Sequence, residues 1–220
     1  MAFALSLRRG TILHHDLQRG QPPAPWAPVD TPAISPIQGA TFEILGLGLI
    51  GTAVALRAKA FGWRVMIYDP FAPNGTDKAL GIQRTRDLKE LFRRCSTVSI
   101  YCPATPQTTQ LVRYELFSLT PPGAVLVNTA RGEIVNLNDV ERCLREDRLA
   151  DEPVPTSGPI HPLLQAYRNQ EKWLVGRMVV TPHCAYHSRE SLEDIRVKTS
   201  ETMRDVLING LKVNIIPPPR

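Results

Sequence analysis

The sequence lacks any run of apolar residues near the roughly eighteen that a bilayer-crossing helix needs. Its opening, MAFALSLRRG, puts a short apolar stretch before its arginines, the reverse of a secretory leader, so a chain that is not exported is expected. It has only four cysteines, Cys95, Cys102, Cys143 and Cys184, with no CxxC pair among them. That spacing argues for reduced intracellular thiols and against a disulfide framework or a zinc site, and no metal is expected. No basic run exceeds a pair such as Arg93-Arg94, and aromatics make up only 6% of the residues. A nucleic-acid surface wants a basic stripe with aromatics interleaved, so direct nucleic-acid binding is not expected. The net charge of +5 is read as a solvated surface, and the absence of a basic targeting run favours the cytoplasm while leaving the nucleus open.

What is present is the composition of an ordinary globular chain, 43% apolar and 21% charged, long enough for one substantial core. Residues 2–19 read as a helix, with Phe3, Leu7, Leu13 and Leu17 among its apolar positions. Residues 21–39 hold six prolines and can be neither continuous helix nor central strand, so they form a linker or an extended arm. From Thr41 the pattern alternates. Strands are expected at Phe42–Leu45, Arg64–Tyr68, Thr97–Tyr101, Ala124–Asn128 and Met178–Val180. Helices are expected between them: one with Ile50, Val54, Ala58 and Phe61 on its inner face, one over Asp87–Arg94, and one over Val135–Arg145. A last long helix should run from Ser188 to Ile208 and stop at Asn209-Gly210. Strand alternating with helix at this spacing implies an α/β fold, a parallel sheet covered on both faces.

The first chemistry-bearing feature is Gly46-Leu47-Gly48-Leu49-Ile50-Gly51, a GxGxxG that follows a strand and opens a helix. The first glycine makes the turn, the second lets backbone approach a pyrophosphate, and the third allows close helix–strand packing. Helix amide donors and the helix dipole favour the phosphates. Alone, such a loop is weak and could be a plain glycine turn. Here the second strand ends in Asp69, 18 residues after Gly51, where an acid that accepts from the adenosine ribose hydroxyls is due. A carboxylate there disfavours a 2′-phosphate, so the expected cofactor is NAD.

Further motifs follow in order. Ala53–Pro70 (AVALRAKAFGWRVMIYDP), Cys102-Pro103-Ala104-Thr105-Pro106-Gln107-Thr108, Val127–Gly132 (VNTARG) and Thr181–Ala185 (TPHCA) together resemble the D-2-hydroxyacid dehydrogenases, closest to their C-terminal-binding-protein branch. The resemblance covers most of residues 41–208. It implies a Rossmann-type doubly wound parallel sheet that binds NAD and forms dimers. It also implies hydride transfer between NAD(H) and a small 2-hydroxy or 2-keto acid. On that pattern the cofactor would meet Gly46, Gly48, Leu49, Ile50, Gly51, Asp69, Cys102, Pro103, Thr108, Thr129, Ala130, Arg131 and His183. His183 would be the general acid/base, since an imidazole titrates near working pH. Arg131 would grip the substrate carboxylate with its planar fork of donors. Glu152 would orient the histidine and raise its pKa, although a solvated acid in a charged, proline-rich stretch reads as well. Tyr186 and His187 could meet a substrate or simply pack.

The sequence also departs from that pattern. Family members carry about a hundred further residues ahead of the nucleotide domain, forming most of a substrate domain, so an N-terminally truncated chain is expected. Residues 1–40 would then be a linking helix and proline-rich arm, 41–187 the NAD-binding domain, and 188–220 a C-terminal helix and tail left from the substrate domain. The strand before Glu152 is expected to be missing, because Arg148-Leu149-Ala150 runs straight into Asp151-Glu152-Pro153. Glu43 stands inside the first strand, costly in a strand buried on both faces unless paired. The missing wall and strand favour a second reading, an NAD-responsive corepressor-like scaffold with transcription-regulator partners and no significant turnover.

Overall fold

The structure, a computed structural model, describes Ala4 and residues 36–146, 148–151, 160–174, 177–181 and 187–213. Six strands form one parallel sheet: β1 (Thr41–Leu45), β2 (Arg64–Tyr68), β3 (Gln83–Arg84), β4 (Thr97–Ile100), β5 (Ala124–Asn128) and β6 (Leu149–Asp151). Their order across the sheet is β3-β2-β1-β4-β5-β6. The chain winds outward in one direction through β2 and β3, then returns beside β1 and winds the other way. This is the doubly wound nucleotide-binding order, with its switch point between β1 and β4. β4 and β5 are buried along their whole length, as parallel strands covered on both faces must be.

Alternation along the strands divides the core in two. Phe42, Ile44, Val65, Ile67, Val125 and Val127 face one layer, where they meet Trp63 and the helix α1 (Leu49–Ala60). Met66, Val98, Ile100 and Leu126 face the other. That second layer is filled from α3 (Leu88–Arg94), α4 (Tyr114–Phe117), α5 (Leu137–Arg145) and α6 (Pro162–Arg168), by Leu91, Phe92, Phe117, Val140, Leu144 and Leu163. The short α2 (Thr76–Leu80) precedes β3. Helices therefore cover both faces, as expected.

Register sets the site. Leu45 pairs with Tyr68 and with Ile100, and Ile100 pairs with Asn128. Four strands therefore end level, and the residues that follow them, Gly46, Asp69, Tyr101 and Thr129, emerge along one edge of the sheet.

Several expectations need correction. The strand expected to be missing is present: β6 pairs with β5 at Ala124↔Leu149 and Val125↔Asp151, with a register shift between them. Leu149 is almost wholly buried, and Arg177 Nη2 donates to the Leu144 and Leu149 carbonyls at 2.7 and 3.0 Å. Met178–Val180 is not a strand, although Met178 is buried. The inner face of α1 is only partly the expected one: Ala58 is buried and Val54 packs against the same core, but Ile50 and Phe61 are 68% and 51% exposed. Beside the expected Ala58 the helix packs through Gly51 and Ala55, because only small residues allow the close approach that this loop imposes. Helix α5 starts at Leu137 because a 3-10 turn (Gly132–Ile134) precedes it and Asn136 caps it, its side chain accepting from Asp139 N at 3.2 Å. The expected helix at residues 2–19 lies outside the described residues except at Ala4, which is helical and buried.

The C-terminal residues 181–220 form a separate compact unit. Its helix α7 (Arg189–Leu207) is capped by Ser188, which accepts from Ser191 N at 3.1 Å, and the helix ends just before Asn209-Gly210. No described helix is long and apolar enough to cross a membrane.

Candidate nucleotide site

The glycine loop joins β1 to α1, and each glycine has its own reason. Gly46 has φ +95°, and a Cβ there would come within 2.6 Å of the Cys102 backbone nitrogen. A Cβ on Gly51 would lie 2.3 Å from the Gly46 carbonyl oxygen, so the helix could not sit where it does. Around Gly48 a Cβ would meet nothing within 4 Å among the described residues, so the loop leaves open space where an approaching group would come closest. Helix α1 has no side-chain cap and no acidic residue in its first turn. Its leading amides therefore stay available to an anion, with the helix dipole behind them. Leu49 and Ile50 stand at this helix start, Leu49 95% exposed.

Asp69 follows β2, half-buried, and ties the loops together. Its Oδ2 accepts from Leu47 N at 2.7 Å, and its Oδ1 accepts from Phe71 N at 2.8 Å and Ala72 N at 3.2 Å. A carboxylate offers about four lone-pair sites, so acceptor capacity remains for a ribose hydroxyl. Beside it opens a cavity of about 470 Å³ whose lining includes Tyr68, Asp69, Pro73, Asn74, Arg84 and Arg86.

Beyond β4, Tyr101 N donates to the Leu45 carbonyl at 2.8 Å, drawing this strand end against the glycine loop. The Tyr101 hydroxyl accepts from Ser99 Oγ at 2.7 Å. Burial raises the Tyr101 pKa above the ordinary phenol value, against the lowering influence of Ser99 and Thr129. Cys102 is half-buried, and burial pushes its thiol up to about 11, with the Asp69 charge adding to the rise. Thr108 pins the loop that starts here, donating to the Pro103 carbonyl at 2.6 Å and accepting from Thr105 N at 2.8 Å. Beyond β5, Asn128 Oδ1 accepts from Ala130 N at 3.1 Å and its Nδ2 donates to the Arg131 carbonyl at 3.0 Å, which fixes the turn through Thr129 and Ala130. Arg131 is exposed, with Nη1 donating to the Ala130 carbonyl at 2.8 Å.

The structure thus brings Gly46, Gly48, Leu49, Ile50, Gly51, Asp69, Cys102, Pro103, Thr108, Thr129, Ala130 and Arg131 to one edge of the sheet. Glu152, His183 and Tyr186 lie outside the described residues. Among the described residues no group of three or more His, Cys, Asp and Glu is placed to hold a metal. Sequence reasoning missed Arg84 and Tyr101. Arg84 sits in a two-residue strand too short to carry a pattern, and Tyr101 looks like one more apolar strand residue. The asparagine of VNTARG was part of a recognised block, but its bracing role shows only in the turn geometry.

The arrangement fits a dinucleotide: clear space at Gly48, unused helix amides, an acid at the end of β2 and a cavity next to it. Residues 1–185 match the NAD-binding domain of the D-isomer specific 2-hydroxyacid dehydrogenases. The chain belongs to this family. It is 31% identical over 176 residues to C-terminal-binding protein 1 of Caenorhabditis elegans, covering 79% of this chain and 24% of that protein. It is 27% identical over 190 residues to D-3-phosphoglycerate dehydrogenase of Methanocaldococcus jannaschii, covering 83% of this chain and 34% of that one. The chain therefore spans about a quarter to a third of the length of these curated relatives. Among solved structures, D-lactate dehydrogenase with NAD+ from Lactobacillus jensenii superposes with a TM-score of 0.78 at 20% identity, covering 99% of this chain and 66% of that one. That likeness is one of fold.

Proposed function

We propose that this 2-hydroxyacid dehydrogenase domain binds NAD(H) along the level strand ends and serves hydride transfer involving a small 2-hydroxy or 2-keto acid. The observation that carries the reading is the register placing Gly46, Asp69, Tyr101 and Thr129 side by side, with open space at Gly48. NAD(H), when bound, supplies or accepts the hydride. The protein's own part is to hold the two ends and manage a proton. Gly48 and the first turn of α1 take the pyrophosphate, Asp69 accepts from the adenosine ribose, and the turns through Cys102, Pro103 and Thr108 and through Thr129 and Ala130 border the other end. Arg131 uses one of its five N–H donors on Ala130, which leaves a fork for a substrate carboxylate. His183 exchanges the proton of the alcohol or carbonyl, and Glu152 orients it. In this reading the nucleotide domain spans residues 41–187, between the arm of residues 1–40 and the remnant of residues 188–220. The protein works as a homodimer in the cytoplasm.

Calorimetric titration with NADH, followed by NADH oxidation assays with glyoxylate, hydroxypyruvate and pyruvate, tests this. Saturable binding weakened by Asp69→Ala, with turnover lost in His183→Ala but binding kept, supports the enzyme. A folded chain that does not bind NADH would sink it. The similarity to C-terminal-binding protein 1 favours a second reading, a scaffold whose assembly follows nucleotide occupancy and whose partners are transcription regulators, in the nucleus. NADH-dependent dimerisation in sedimentation, without turnover of any of the three acids, would select it.

A further inference from the structure

Arg84 has no place in the chemistry above, yet its guanidinium is committed to a single turn. Nη2 donates to the main-chain carbonyls of Asp69 at 2.9 Å and Ala72 at 3.0 Å, and Nη1 donates to the Pro73 carbonyl at 3.2 Å. These three carbonyls span the turn after β2, the segment that walls the 470 Å³ cavity. Pro70 and Pro73 have no amide hydrogen, so the turn holds itself through Asp69 Oδ1, which accepts from the Phe71 and Ala72 amides, and through the Thr76 hydroxyl, which donates to the Pro73 carbonyl at 2.9 Å. It is gripped from within by the Asp69 carboxylate and from outside by Arg84. The grip is geometric. Arg84 pairs with Ile67 across the β2–β3 ladder, so sheet register fixes its reach. A planar fork can meet three converging carbonyls at once, whereas a lysine ammonium acts as a single point charge.

We infer that Arg84 is a positioning residue for the adenosine end of the nucleotide: it fixes the turn at residues 69–73 and, through it, the orientation of the Asp69 carboxylate and the shape of the adjoining cavity. The inference rests on the proposed NAD(H) site and adds a residue that lies in the cavity lining but spends its guanidinium donors on the turn. The part of the nucleotide away from the adenosine should not sense its loss.

The test compares the full 220-residue chain with Arg84→Met and Arg84→Lys, after circular dichroism, in titrations with NADH, ADP-ribose and reduced nicotinamide mononucleotide. Both variants should bind NADH and ADP-ribose about tenfold more weakly, the scale of breaking hydrogen bonds made by a charged group. Their binding of the mononucleotide, which has no adenosine, should stay within about twofold of the unaltered chain. Arg84→Lys keeps the charge, so wild-type affinity in that variant would show that charge and not the clamp matters, and would overturn the inference. So would unchanged NADH affinity in Arg84→Met, or equal loss for all three ligands. If both variants are unfolded, the arginine belongs to the fold and the inference also fails. An unaltered chain that binds no NADH defeats the underlying nucleotide reading instead, a result visible before any variant is made.

Discussion

Glu43 puts a carboxyl in the middle of β1, opposite Met66 and Val98, with no exposed surface and, among the described residues, no hydrogen-bond partner for either oxygen. Burial pushes its pKa up to about 8 from an ordinary 4.5, with polar groups of Thr41 and the strand backbone and the charge of Arg64 opposing the rise. The folded state therefore holds this proton more tightly than the unfolded chain does. Its contribution to stability is complete below the unfolded pKa and is lost as pH rises through the folded value. Stability should fall by ~1.4 kcal/mol per pH unit between about 5 and about 8 and then level off. Urea unfolding midpoints across that range test this, and Glu43→Gln should flatten the slope. The cost of Glu43 was legible in the sequence, because a carboxylate in a strand buried on both faces is costly unless paired, but that no described residue meets it shows only in the fold. The glycine loop makes a second prediction. Gly46→Ala should cost at least about 2 kcal/mol and weaken NADH binding, through its positive φ and its contact with Cys102. Gly48→Ala should leave the melting temperature almost unchanged yet weaken NADH at least about tenfold, since its Cβ would fill only the open space. Equal melting losses in the two variants would contradict the division of roles.

Among the elements, strands were the most readable. Arg64–Tyr68 and Ala124–Asn128 form as expected because their apolar runs are continuous and bounded by breakers. The face of α1 was read only in part, at Val54 and Ala58, because periodicity counts large apolar residues, whereas contact with this loop selects for small ones. β6 was missed because three residues carry no period, and it was taken for absent by comparison with a longer pattern. The starts of α3, α5 and α7 were readable to within two residues because Asp87, Asn136 and Ser188 cap them, whereas the short α2, α4 and α6 were not foreseen. Asn136→Ala removes the acceptor for Asp139 N and should lower stability by ~1 kcal/mol, read as a shift in the urea midpoint. Because the same helix follows the turn bearing Arg131, turnover should fall with it if that turn is set by the cap. A melting loss at constant turnover would assign Asn136 to stability alone.

For the whole molecule, the fold class followed from the alternation of elements, and the cofactor from the order of strand, glycine loop, helix, strand and acid. Each of these is a local pattern with a physical cause. What could not be read was the bracing between loops: Asp69 on Leu47, and Arg84 on the turn beside it. Such contacts join residues whose nearness is set by sheet register, and no single stretch of sequence records it. If the nucleotide binds only the folded chain, NADH at a hundred times its dissociation constant should stabilise it by ~2.7 kcal/mol. A thermal melt should then rise by several degrees, and Asp69→Ala should abolish most of that rise.

The bracing around Asp69 has a consequence for the heat of binding. Loop, turn and strand end already hold one another, so an arriving nucleotide has little disorder to remove and mainly exchanges its hydration shell for waiting amides and lone pairs. Its heat-capacity change should therefore match the apolar area covered, without the surplus of coupled folding.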